Sequence, residues 1–167
     1  MSKYKGPMTA EELMKRLAAD PEYVKMRAAK DEKSRERAKR LAAISRPILE
    51  RLTDTGFPAE SIEDLVRKFA PVPEQVVEIL LANVNECSDD RIQESLVRAL
   101  GAAEFPFDGR QLVKCFESAR DEGLRFAILN TIALVKPHSI DEWLEKARQN
   151  DYLRQKLSDL GYKWTTP

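Results

Sequence analysis

Two stretches of the chain carry the same apolar register 32 residues apart. In DDRIQESLVRALG (89–101), Ile92, Leu96, Val97 and Leu100 recur at helical spacing. In DEGLRFAILNTIA (121–133), Leu124, Ile128, Leu129 and Ile132 repeat it, and Asp121 matches Asp89. An apolar helix pattern precedes each stretch: Val76, Val77 and Leu80 correspond to Leu112, Val113 and Phe116 at an offset of 36. The four-residue difference falls in the turn between paired helices, where ANVNECS is longer than its counterpart. A helix pair cannot bury its apolar faces alone, and stacking successive pairs covers them. The spacing therefore predicts an all-α fold, an α-α superhelix built as a short solenoid of about three helical pairs. Residues 139–161 give a degraded third copy, with Trp143 and Leu144 in its first helix and NDYLRQKLSDLG in its second. A terminal copy is expected to be atypical because one face meets water.

Punctuation supports this reading. Ser61 caps a helix with Ile62, Leu65, Val66 and Phe69 on one face. Pro71 and Pro73 separate it from the helix of Val76 to Val84, and Gly101 is expected to end the 89–101 helix as a C′ glycine. Asp108 and Asp121 stand at helix starts, and Ser139 with Glu142 has capping-box spacing. No segment alternates apolar and polar residues over a useful length.

The N-terminal part differs. Residues 1–8 read as a disordered lead, and residues 9–56 as helices that precede the repeat domain of 57–167. Thr9 and Glu12 form a capping box ahead of Leu13, Met14 and Leu17. Asp20-Pro21 is an N-cap followed by a favoured first helical position. The basic segment spans 22–40; from Lys25 to Arg40, 11 of 16 residues are charged and 8 of those are basic. Alanine, lysine, arginine and glutamate favour helix, so this stretch can be helical with little packing. Acid–base pairs at helical spacing, Asp31–Arg35 and Glu36–Arg40, are expected to add support. The basic residues read as spread around the helix. Pro47 predicts a kink or break near Ser45, and Gly56 a stop.

The second helices resemble those of HEAT-like (armadillo-type) repeats, whose pattern runs roughly D-x-x-V-R and then A-L-G. Asp89, Ile92, Ala99, Leu100 and Gly101 supply it once, and Asp121, Leu124, Arg125, Ile132 and Ala133 a second time. Leu153 and Arg154 supply part of it a third time, with Asn150 in place of the acid. The resemblance covers about residues 60–161. It implies structural inter-repeat roles for Asp89, Asp121, Arg125 and Arg154, as pairs Asp89–Arg125 and Asp121–Arg154. Gln93 stands where the arginine is usual, so linkage is expected to be weakest there.

Charge is balanced, with 28 basic and 28 acidic residues, but unevenly distributed. Residues 1–40 carry a net +5 and residues 41–167 a net −5. The longest uncharged run, FAILNTIALV, is about half a membrane span, so no membrane partner is expected. Cys87 and Cys115 form no CxxC pair, and no apolar leader is visible, so a reduced, cytoplasmic setting is expected. His138 is the only histidine and sits in a turn without a nucleophile motif. No HExxH, GxGxxG or GxxxxGK[ST] occurs, so neither cofactor, metal nor catalytic residues are implied. Cys115 beside Phe116 reads as core, and Cys87 as a turn residue.

The reading that follows is a non-enzymatic protein-interaction module or small scaffold. It would bind a protein partner on the concave face of its repeat helices, through Glu94, Ser95, Arg98, Phe126 and Asn130. The alternative is nucleic-acid binding through Lys30, Lys33, Arg37 and Arg40 of the basic helix; a merely solvated helix is the plainer explanation of those residues, and an acidic protein partner a further one. The resemblance further admits an enzyme related to HEAT-like repeat lyases, although no residue identifies a chromophore site.

Overall fold

A computed structural model describes residues 8–164. The described residues form nine α-helices and no strand. The chain divides into two compact units, 1–42 and 43–167, so the division falls inside a helix rather than after the expected Gly56.

In the first unit, α1 (Ala10–Ala18) starts with the expected capping box. The Glu12 amide donates to Thr9 Oγ1 over 3.2 Å, and Glu12 Oε2 accepts from the Thr9 amide over 3.0 Å. Helix α1 buries no residue: Leu13 and Met14 are exposed and Leu17 half-buried. α2 (Pro21–Asp54) starts on Asp20, whose Oδ1 accepts from the Glu22 and Tyr23 amides. Met14, Leu17 and Ala18 face Tyr23, Val24, Arg27 and Ala28 across a groove of about 290 Å³. From Val24 to Arg40 every residue is exposed, yet the backbone is helical throughout, as high intrinsic propensity allows. Arg35 lies 3.7 Å from Glu32 instead of pairing with Asp31.

Of the kink or break expected near Ser45, the break does not occur: α2 continues through Pro47 as one helix. An internal proline costs about 3 kcal/mol in an isolated helix. Burying Ile48 and Leu52, each worth about 1.5–3 kcal/mol, compensates. Gly56, at φ +91°, ends the helix in a Schellman turn, with its amide on Thr53 O and the Phe57 amide on Leu52 O. Gly161, at φ +86°, ends α9 in the same way.

In the second unit, α3 (Ile62–Phe69), α5 (Asp90–Leu100), α7 (Glu122–Val135) and α9 (Asp151–Asp159) pack in succession. The intervening α4 (Glu74–Val84) lies on α5 and α6, α6 (Arg110–Ser118) on α7, and α8 (Asp141–Gln149) on α9. The core residues are the expected apolar stripes: Leu65, Val76, Leu80, Leu96, Leu100, Leu112, Leu124, Ile128, Ile132 and Leu157 are all essentially inaccessible. Phe116 meets Trp143 edge-to-face at 5.5 Å, joining α6 to α8.

Connecting loops recur as well as helices. The Val72 amide donates to Ala102 O over 3.0 Å, tying the loop before α4 to the loop after α5. The Gly109 amide donates to His138 O over 3.0 Å, and the His138 amide to Phe107 O over 2.9 Å, tying the loop before α6 to the loop after α7. The two ties lie about 36 residues apart.

Three expected caps are corrected. Gly101 has φ −64°, in the right-handed region, so no left-handed C′ residue is present; it stands where a side chain would meet Thr131 Oγ1 at 3.0 Å. Ser139 does not cap α8: its φ is +64°, its hydroxyl lies 2.9 Å from His138 Nδ1, and the N-cap is Ile140. Asp108 stands one residue before the N-cap Gly109, accepts from the Arg110 amide and pairs with the Arg110 guanidinium. Ser61 and Asp121 cap as expected, and Asp89 and Asn150 cap as well, each accepting from an amide two or three residues on.

Candidate functional site

The candidate site lies on the exposed sides of α5 and α7 and is built by helical spacing. Glu94 and Arg98 are one turn apart on α5 and pair, Nη2 to Oε1 at 2.7 Å. Ser95 Oγ donates to Glu63 Oε1 of α3 over 2.7 Å. Partial burial pushes the Glu63 carboxyl up, but hydrogen bonds, first that from Ser95, hold it below its usual range. An open polar cleft of about 480 Å³ is lined by Glu63, Arg91, Glu94, Ser95, Arg98 and the first turn of α7. At that turn, Gly123 lets α7 approach Glu94: an added Cβ would lie 3.4 Å from Glu94 Oε2.

On the other side of the same turns of α7 lies a smaller cavity of about 120 Å³. Phe126 (47% exposed) and Tyr152 (60% exposed) line it with Arg125, Leu129 and Lys156. Lys156 Nζ stands 5.8 Å from the Tyr152 ring centroid. Asn130 is half-buried one turn beyond Phe126, and Leu134 is exposed a turn further on. The five residues read from the sequence thus lie on the surfaces of two packed neighbouring helices. Tyr152 and Glu63 were missed, because each joins from a helix remote in sequence.

The four residues expected to link repeats have different partners. Arg125 Nη1 donates to Phe116 O (3.2 Å) and Ala119 O (3.3 Å), and its guanidinium lies 4.1 Å above the Phe116 ring. These partners belong to the preceding helix of its own pair, not to Asp89. Arg154 pairs with Asp151 of its own helix at 2.6 Å, not with Asp121. Asp89 and Asp121 act as N-caps. Gln93 Nε2 donates to Val84 O over 2.9 Å, the bond that Arg125 makes to Phe116 O 32 residues later. The departure at Gln93 therefore keeps the tie, in neutral form. A buried hydrogen bond between successive pairs comes from Thr131, whose hydroxyl, 1% exposed, donates to Val97 O of α5 over 2.9 Å.

Neither thiol is activated. Burial pushes the Cys115 thiol up to about 11, and burial likewise raises that of half-buried Cys87. A protonated thiol is a poor nucleophile. His138 is exposed, and its Nδ1 lies 2.9 Å from the Ser139 hydroxyl. Among the described residues no group of three or more His, Cys, Asp or Glu is placed to hold a metal ion, and no helix is long and apolar enough to cross a membrane.

No family model matches the chain, and comparison with curated proteins and with solved structures found no match.

Proposed function

We propose that the chain is a non-enzymatic interaction module: a short HEAT-like solenoid that binds a protein partner over the α5–α7 face. The observation that carries this reading is the pair of exposed aromatics, Phe126 and Tyr152, around one cavity with Lys156. Exposed large apolar side chains beside a polar cleft have the composition of a contact patch: an aromatic centre with a charged rim. The cleft of Glu63, Glu94, Ser95 and Arg98 supplies both charges within a few ångströms and suits the polar edge of such an interface. A partner would gain affinity from covering the aromatics and selectivity from matching the charges.

The test is site-specific photocrosslinking in native cell extract. A photoreactive residue at Phe126 or Asn130 should yield one adduct of the same mass, weakened by Tyr152→Ala or Arg98→Glu. A photoreactive residue at exposed Gln75 on α4 should not yield it. Equal labelling from Gln75, or no adduct from α7, refutes the reading.

A further inference from the structure

We propose that α2 carries a second, independent site: Lys30, Lys33 and Arg37 contact the phosphate backbone of a double-stranded nucleic acid without reading its sequence. Sequence alone suggested charges spread around this helix, and its regular geometry refines that. At 3.6 residues per turn, Lys30, Lys33, Arg37 and Arg40 fall within one sector of about 80°. Asp31, Glu32 and Glu36 all fall outside that sector on the same geometry.

Among the described residues no carboxylate lies within ion-pair distance of Lys30, Lys33 or Arg37, whereas Arg35, outside the sector, lies near Glu32. Lys30–Lys33 and Lys33–Arg37 are like-charge neighbours at the spacings where repulsion destabilises a helix. Covering them with a polyanion removes that repulsion.

The chemistry of the sector selects the ligand. Between Lys30 and Arg40 it holds no apolar residue, whereas a membrane-surface helix needs an apolar face and a protein interface an apolar centre. Phosphate contact needs only cations. Aromatics are absent from 25–40, so stacking on single strands has no platform. Glu36 flanks the sector, and Asp31 and Glu32 on the far side would meet the second phosphate ridge if the helix filled the major groove. The contact is therefore with one ridge and carries no base readout. The net −5 of residues 41–167 confines attraction to the N-terminal arm.

The experiment uses the full-length chain and a fluorescent 30-base-pair DNA duplex, with anisotropy followed from 20 to 300 mM NaCl. Three neutralised phosphates give a slope of about −2.7 in log K against log salt, a loss of about 40-fold between 50 and 200 mM. Lys30→Glu/Lys33→Glu/Arg37→Glu should weaken binding at least tenfold at 50 mM. Lys25→Glu/Arg35→Glu/Lys39→Glu, the same charge change outside the sector, should weaken it less than threefold. All six positions are exposed, and unchanged circular dichroism confirms folding. Equal loss in both variants, no binding at 50 mM, or sector-dependent binding to phosphatidylserine vesicles without DNA binding each overturns the proposal.

Discussion

Gly109→Ala tests the packing of the loops between helices, because two opposing effects decide its sign. Gly109 has φ −85° and ψ −1°, a conformation alanine adopts readily. On backbone grounds alone the substitution should stabilise by about 0.4–1 kcal/mol, through fewer unfolded conformations. The surroundings say otherwise. A Cβ there would lie 2.8 Å from Ile140 Cγ2, 2.9 Å from Pro137 Cβ and 3.0 Å from Pro137 Cγ. The proline ring cannot rotate away, so the loop of Pro137 to Ile140 must shift. That loop is held by the bonds Gly109 N–H to His138 O and His138 N–H to Phe107 O. Overpacking costs about 1–3 kcal/mol, and each strained hydrogen bond up to about 1 kcal/mol more. The net expectation is a loss of about 2 kcal/mol, or a fall in Tm of about 4–8 °C for a chain of this size. Thermal unfolding followed by circular dichroism reads the first, and hydrogen exchange at the His138 amide, expected to quicken, reads the second. A Tm unchanged or raised would refute the reasoning, since the backbone gain would then have won.

Other substitutions examine other links. Arg125→Ala should cost about 1.5–3 kcal/mol in urea unfolding, because a charged donor to two carbonyls and a ring contact are lost together. Arg125→Gln, which imitates Gln93, should recover part of that; if it is no better than alanine, the carbonyl tie is not what stabilises. Thr131→Val keeps the volume and should cost about 1 kcal/mol, since Val97 O still accepts from the Gly101 amide; no loss would mean that the hydroxyl contributes nothing across the α5–α7 contact. Asp64, 5% exposed, lies 2.7 Å from Lys68 Nζ and 2.6 Å from Arg67 Nη2. These bonds, Lys68 first, hold its carboxyl well below the usual range. The unfolded state then binds more protons near pH 4, so the stabilisation is present above about pH 4 and fades as pH falls below it. The stability gap between the native protein and Asp64→Asn should be flat from pH 5 to 8 and shrink below 4; a gap independent of pH would rule that out.

What the sequence determined was local. Caps at Thr9, Asp20, Ser61, Asp89, Asp121 and Asn150 act over two or three residues, and apolar stripes over one or two turns, so the helices and their buried faces are legible without a fold. The Phe126 and Asn130 surface was legible for the same reason, as the side of a helix turned from its stripe. What only the tertiary structure decided was which distant groups meet. Arg125 and Gln93 could be matched in sequence, but their acceptors are carbonyls at the ends of preceding helices, and a carbonyl carries no sequence signature. Gly101 read as a left-handed helix stop; it does end α5, but at right-handed φ and with a packing gap opposite Thr131. Ser139 read as a cap, yet the paired loops 107–109 and 137–139 hold it at positive φ. Pro47 read as a kink or break, because local cost is visible in the sequence while the compensating burial of Ile48 and Leu52 is not. Tyr152 joined the Phe126 cavity only once α9 had packed on α7. Short-range interactions are fixed by neighbours in the chain, and long-range ones by helix packing, which a periodic pattern implies without specifying its contacts.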